Sequence, residues 1–325
     1  MSDIKLGVTL YSFSTEYCSG SMDLEDCIRK AHEFGAKGFE IVATQMIDSY
    51  QFVSDEFLGR FRDICERYDM TPVSYGANMD KGLYRNREMT DDEMVQFAIR
   101  DIRNAHKLGC KVMREQFLIG PENFARLAPY AEAYNVKVGI EIHNPDYPHS
   151  PMVDSFIEAI QKSGSKYLGF VPDFGCFANK PNKMLWDNSV AAGADKDILE
   201  MIRDMRWDGI AQDEAQKRAV EAGAGKPELE FLRDSFGTFQ FRKDVTPLLE
   251  GLKDMMPMCF HMHGKFHNVS ENLEEAAIPY KEILEVIKAS DYDGYIVSEF
   301  EQYNSGCTDE YLSRHIRMMK KYLGM

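Results

Sequence analysis

The sequence predicts an α/β fold: a (β/α)8 TIM barrel with a long helical insertion between strands 6 and 7. Three observations lead there. Eight short apolar runs of strand length alternate with stretches whose apolar residues recur at helical spacing. The centres of those runs are apolar on both faces, as strands covered on two sides require. No Gly-x-Gly-x-x-Gly turn follows the first run, so the runner-up, an open doubly wound sheet, lacks its usual support. A chain of 325 residues accommodates eight such units, and it is read as one barrel domain over 1–325.

The elements follow in order. Lys5–Phe13 reads as strand 1. A helix over Ser21–Phe34 puts Leu24, Cys27, Ile28 and Ala31 on one face, with Ser21 as its cap and Gly35 as its stop. Gly38–Val42 is strand 2, and Ser54–Tyr68 a helix with Phe57, Leu58, Phe61 and Ile64 inward. Pro72–Ala77 is strand 3. Thr90 caps a helix to Leu108, Asp92 and Glu93 suit its first turn, and Gly109 ends it. Lys111–Leu118 is strand 4, Asn123–Tyr134 a helix and Val136–His143 strand 5. Met152–Ser163 is a helix stopped by Gly164, and Tyr167–Pro172 is strand 6. Pro257–His263 and Tyr295–Phe300 are strands 7 and 8, with a helix at Tyr280–Ala289 between them and a final helix at Thr308–Tyr322. Roughly 85 residues separate strands 6 and 7, far more than one loop-helix-loop connection needs. This insertion, about 176–250, carries helical patterns at Lys196–Met205, Ala211–Glu221, Leu229–Asp234 and Val245–Asp254, and is read as a lid or docking surface.

Bulk composition narrows the function. The chain is 44% hydrophobic and 28% charged, with a formal net charge of −15. That balance argues against a nucleic-acid or anionic-membrane partner. No apolar run reaches transmembrane length and no signal-peptide pattern opens the chain. Seven cysteines stand singly, without Cys-x-x-Cys spacing, which fits reduced thiols in a cytoplasm.

The chemistry gathers at the ends of the late strands. Strand 5 ends Glu141-Ile-His143, and alternation puts both polar side chains on one side. Strand 6 ends Val-Pro-Asp173, strand 7 runs His261-Met-His263-Gly-Lys265, and strand 8 ends Ser-Glu299-Phe-Glu301. Parallel barrel strands bring these ends to one mouth. Carboxylates and histidine crowded there repel one another unless a cation joins them. The residue types suit a divalent metal of intermediate hardness, Mn2+ first, with Mg2+, Co2+ or Zn2+ as alternatives. His261 and His263 point the same way, so either can be the ligand. A core histidine, a capping Asp173 and a solvated Lys265 are the bland readings of single residues. Four matching strand ends are harder to dismiss. Tyr11, Glu40, Tyr75 and Glu115 also stand near strand ends and are assigned to the general pocket. His149 and His261 are read as supporting partners.

On these motifs the sequence resembles the xylose isomerase-like barrel superfamily of sugar isomerases, epimerases and dehydratases. The matching pieces are Gly-Ile-Glu141-Ile-His143-Asn, Gly-Phe-Val-Pro-Asp173, Met-His263-Gly-Lys265 and Ile-Val-Ser-Glu299. Register with the family's His-x-Lys-Asp implies His263 as the ligand, so the implied metal set is Glu141, Asp173, His263 and Glu299. Phe266 stands where the family has Asp, and no role of that acid carries over. Within the superfamily, Ile-Glu-Ile-His-Asn-Pro, the insertion opening Asp-Phe-Gly-Cys-Phe-Ala-Asn, and the length resemble the large, metal-binding subunit of bacterial C-glycoside deglycosidases. This resemblance implies cleavage of the carbon–carbon bond between a 3-oxo sugar and an aromatic aglycone, in complex with a small β-rich subunit. His143 is then the base for the C2 proton and Lys265 a stabiliser of developing oxyanion charge. The alternatives are a ketose 3-epimerase or isomerase using the same enediolate, and a non-catalytic barrel that binds a sugar or a partner.

Overall fold

A computed structural model describes residues 3–301 and 306–325. Its strands are β1 (Lys5–Thr9), β2 (Gly38–Val42), β3 (Thr71–Gly76), β4 (Val112–Glu115), β5 (Lys137–Ile142), β6 (Leu168–Pro172), β7 (Met262–Phe266) and β8 (Tyr295–Phe300). They form one parallel sheet ordered β6-β5-β4-β3-β2-β1-β8-β7. The barrel closes between β6 and β7 through isolated bridges, Phe170 to Cys259 and Asp173 to His263, in place of a ladder. Phe260 N donates to the Phe170 carbonyl at 3.0 Å on that seam. Gly169 lies there because a Cβ would collide with the Met258 carbonyl. Four of the strands, β2, β4, β6 and β7, are buried at every residue, and β1 and β8 at every residue after a half-buried first, which is why their sequences read as continuous runs instead of alternating ones.

The outer layer comprises α1 (Leu24–Glu33), α2 (Asp55–Tyr68), α3 (Asp91–Leu108), α4 (Ala128–Tyr134) and α5 (Pro151–Ser163). Thr90 and Glu93 form a reciprocal capping box at the start of α3, and Gly109 ends it in the left-handed region. The cap of α1 is Asp23, not Ser21: Asp23 can exchange hydrogen bonds with Asp26 three residues on, a partner Ser21 lacks. Strand 7 also differs from the expectation of Pro257–His263. Pro257 sits in a 3-10 turn, Met256–Met258, and the strand starts at Met262. Strands 1 and 4 end sooner than expected, turning into 3-10 helices at Leu10–Phe13 and Phe117–Ile119.

Between β6 and β7 the chain makes a helical excursion: α6 (Lys183–Ala191), α7 (Lys196–Trp207), α8 (Gln212–Glu221) and α9 (Lys226–Phe236). These helices share their own small core around Leu199, Ile202, Ala215, Ala219, Phe231 and Leu232. Buried Glu228 ties them together by accepting from Asp195 N and Gly225 N. The first of them, α6, escapes a pattern-based reading because it buries no residue. The excursion returns where it left: Arg242 N donates to the Ala178 carbonyl at 2.9 Å. The chain then continues through α10 (Thr246–Met255), β7, α11 (Tyr280–Lys288), β8 and α12 (Thr308–Leu323). No disulfide forms among the described residues. Among the described residues no helix is long and apolar enough to cross a membrane.

Candidate metal centre

Four strands deliver the central cluster. Glu141 (β5), Asp173 (just past β6), His263 (β7) and Glu299 (β8) each offer a ligand atom, and those atoms all lie within 4.8 Å of one another. His263 Nδ1 stands 2.8 Å from Glu141 Oε1 and 3.2 Å from Glu299 Oε2. Asp173 Oδ2 and Glu299 Oε2 are buried and accept no well-aligned hydrogen bond, although the cationic groups of Lys265 and His263 lie against them. Hard oxygen donors plus one imidazole, concentrated this tightly, fit a divalent cation of intermediate hardness.

The surrounding charges shape these groups. Burial opposes ionisation of Glu141, but Arg114 and His263 hold its carboxyl well below the usual range. Burial, then the Glu299 and Glu141 charges, push Asp173 up against the pull of Lys265. His263 is desolvated, yet Glu40, Glu299 and Glu141 hold its imidazole well above the ordinary value. Burial lowers His261 to about 3, the pull of Glu40 and Glu141 being opposed by the charges of His263 and Arg114.

Beside the cluster stand His143 and Lys265. Lys265 Nζ lies 2.7 Å from Asp173 Oδ2, 3.0 Å from Glu301 Oε2 and 2.9 Å from His143 Nε2. His143 Nδ1 is 2.7 Å from the Asn144 carbonyl. A carbonyl only accepts, so Nδ1 carries the proton and Nε2 presents its lone pair. His143 remains 30% exposed, open to a cavity of about 390 Å³ that Glu141, Lys265, Glu299 and Glu301 also line. Tyr11 lines it as well, with Gln45, Asn78, Arg114, Phe117 and Leu118. Its floor is charged and its rim includes the exposed apolar side chains of Phe117 and Leu118. The linker after α9 lines a second, much smaller cavity that shares His143 and Lys265. Asn144 Nδ2 donates to the Gln240 carbonyl, and Phe239 meets His267 edge-on at 5.1 Å.

Several residues assigned to the pocket lie elsewhere. Tyr75 and Glu115 point outward from the barrel into the helix layer, where the Tyr75 hydroxyl donates to Asp101 of α3 at 2.7 Å. Parity decides this: Ser74 and Arg114, one residue earlier, take the inward face. His149 is on the surface with Asp154 and does not reach the cavity. Glu40 and His261 lie beneath the cluster and do not line the cavity, Glu40 at 3.1 Å from His263 Nε2. Arg114 is the residue sequence reasoning missed. Its Nε stands 3.7 Å from Glu141 Oε2, and its Nη1 donates to the Ala77 carbonyl at 2.8 Å. Its signal was an arginine inside an otherwise buried strand. Phe266, in place of an acid, stacks on buried His315 with ring centroids 3.9 Å apart.

The Xylose isomerase-like TIM barrel family model matches residues 28–322. A 3'-dehydrocarminate deglycosidase alpha subunit from Microbacterium sp. is 30% identical, over 98% of this chain and 95% of that protein. A C-glycoside deglycosidase alpha subunit from Arthrobacter globiformis is 31% identical, over 92% of this chain and 85% of that protein. Among solved structures, a D-psicose 3-epimerase in the presence of D-fructose superposes with a TM-score of 0.59 at 14% identity, covering 99% of this chain and 100% of that one. An IOLI protein solved with a zinc atom also gives 0.59, at 12% identity and 98% coverage of both chains. At these identities the two structures speak for the fold. The family match spans nearly the whole barrel and agrees with the observed topology, so the chain belongs to the xylose isomerase-like TIM barrel family.

Proposed function

We propose that this protein is a metal-dependent carbon–carbon lyase that removes the aglycone from 3-oxo-C-glycosides, in complex with a small β subunit. The observation that carries the reading is the Glu141–Asp173–His263–Glu299 cluster with His143 beside it, in a chain whose relatives are named deglycosidase alpha subunits. The same names support the β-subunit partner. Glu141, Asp173, His263 and Glu299 would hold a divalent cation, Mn2+ foremost, which would supply Lewis-acid polarisation to the substrate's oxygens.

The chain's own residues supply the rest. The proton on C2 is acidic because it is α to the C3 carbonyl. His143 takes it on Nε2, the nitrogen left basic by the Nδ1–H bond to Asn144. A C1–C2 double bond forms in conjugation with the carbonyl, and the bond from C1 to the aglycone carbon breaks. The leaving electron pair stays on that carbon, which takes up a proton, so substrate divides into enone and aglycone with atoms balanced. Lys265 Nζ, held by Asp173 and Glu301, places a positive charge against His143 Nε2 and beside the oxyanion.

The test is one incubation read by mass spectrometry: Mn2+, D2O, a 3-oxo C-glucosyl flavonoid and a set of free ketoses, with and without the co-expressed small subunit. Released aglycone is expected, dependent on the partner. A deuterated, epimerised ketose without aglycone would establish an epimerase and overturn the lyase. His143→Ala should lower aglycone release by at least about 100-fold, the typical scale of a general base, while metal occupancy stays at the wild-type level.

A further inference from the structure

We propose that Glu40 is a positioning residue: it fixes the orientation of His263 so that Nδ1, not Nε2, faces the cation. The proposal rests on the reading that Glu141, Asp173, His263 and Glu299 hold a metal.

The geometry begins in the backbone. Glu40 is the third residue of β2 and is fully buried. Thr9 on β1 is its register partner on one side. On the other side the register with β3 slips between Phe39 and Glu40, so that Phe39 pairs with Pro72 but Glu40 pairs with Ser74. Val73 is skipped. Such an irregularity re-aims side chains, and here it replaces an aliphatic neighbour of the carboxylate with a hydroxyl.

The two hydroxyls then hold Glu40. Thr9 Oγ1 donates to Oε1 at 3.0 Å and Ser74 Oγ donates to Oε2 at 2.8 Å. Oε2 also accepts from His263 Nε2 at 3.1 Å. Three donors on a dry carboxylate leave it no freedom to turn, and a carboxylate can only accept. Nε2 must therefore keep its proton, and Nδ1, whose own proton faces Glu141 at 2.8 Å and Glu299 at 3.2 Å, is the nitrogen that a cation would deprotonate and bind. His261 does not compete for Glu40. Its Nε2 is 3.6 Å from Oε2, beyond hydrogen-bond distance. Outer carboxylates of this kind set ring orientation and basicity in histidine–metal sites, and their loss typically weakens metal affinity 10–100-fold.

The experiment measures Mn2+ affinity and stoichiometry by calorimetry for wild type, Glu40→Ala, Glu40→Gln and Ser74→Ala. It is paired with ring-nitrogen NMR of Zn2+-loaded wild type carrying 15N-histidine. Glu40→Ala is expected to bind about 10–100-fold more weakly. Glu40→Gln should recover most of that loss, because its amide oxygen in the Oε2 position can still accept from Nε2 and Ser74 while Thr9 accepts from its NH2. Ser74→Ala, the milder change should the alanine variant not fold, is expected to show a smaller loss. The NMR should place the proton on Nε2 and the metal on Nδ1 of His263. Wild-type affinity in folded Glu40→Ala, or a metal on Nε2, would overturn the proposal alone. Two ions per chain, with Glu40, His261 and His263 holding the second, would also overturn it by making Glu40 a ligand. A wild type that binds no Mn2+ would instead sink the metal-site reading beneath it.

Discussion

At the scale of single residues, strand parity separates what the barrel uses inside from what it stores behind. Arg114 and Glu115 are neighbours, yet the first joins the metal centre and the second is sealed under α3. Burial raises the Glu115 carboxyl to about 8, and Asp101 nearby to about 7. The sign follows. Between the ordinary value of 4.5 and about 8, folded Glu115 keeps a proton that the unfolded chain has lost. Stability therefore falls as pH rises through that window, by an amount on the order of a few kcal/mol. Urea midpoints at pH 6 and pH 9 should show the fall, and Glu115→Gln should flatten it in part, with Asp101 carrying the remainder. An unchanged slope in that variant would exclude Glu115 as the source. The same pair marks the limit of sequence reading. Glu141, Asp173 and Glu299 were legible because each ends a run whose parity its apolar neighbours fix, whereas parity left His261 and His263 both open and only the family register chose His263. In Met-Arg-Glu-Gln both parities are polar, so nothing local says which side chain turns inward, and Glu115 was chosen over Arg114. Tyr75 was misplaced for a related reason: an aromatic fits a barrel mouth and a helix-facing surface equally well.

Among the elements, caps and glycine stops made the helices of the barrel readable, while the excursion was readable only in part. Its core is separate from the barrel's core. Leu199 is fully buried in it, and truncation of a core leucine typically costs about 2–5 kcal/mol. Leu199→Ala should thus speed amide hydrogen exchange across α7, α8 and α9 while leaving β1 to β8 as protected as in wild type. Equal loss of protection in the strands would mean that excursion and barrel unfold as one cooperative unit. Thr90→Ala, which breaks the capping box of α3, should cost about 1 kcal/mol, read as a lowered denaturation midpoint.

For the whole molecule, four of the eight strands, β5 to β8, spend their carboxyl ends on one crowded, mostly acidic centre. Arg114, Lys265 and His263 offset part of that charge and a cation would offset more. Metal at 100 times its dissociation constant should then stabilise the fold by about 2.7 kcal/mol, so a chelator should lower the melting temperature and added Mn2+ restore it. A melting curve indifferent to both would mean that the protein cations already balance the centre. The barrel itself was legible because its rhythm repeats eight times. Strand 7 slid in register because its residues before Met262 are as apolar as a strand but lie in a 3-10 turn around Pro257.

The hydrogen bond between Arg242 and Ala178 gives the excursion a further property. Entry and exit meet at one point, so a short splice could replace the intervening module with little closure entropy, at the loss of its contacts with the barrel from Gln240 to Asn144 and from Phe239 to His267. Barrels carrying, lacking or exchanging such a module can share one strand register. The module is therefore a natural handle for re-engineering the wall beside His143, where Lys180, Asn182, Thr238, Phe239 and Gln240 are the residues to redraw for a new guest.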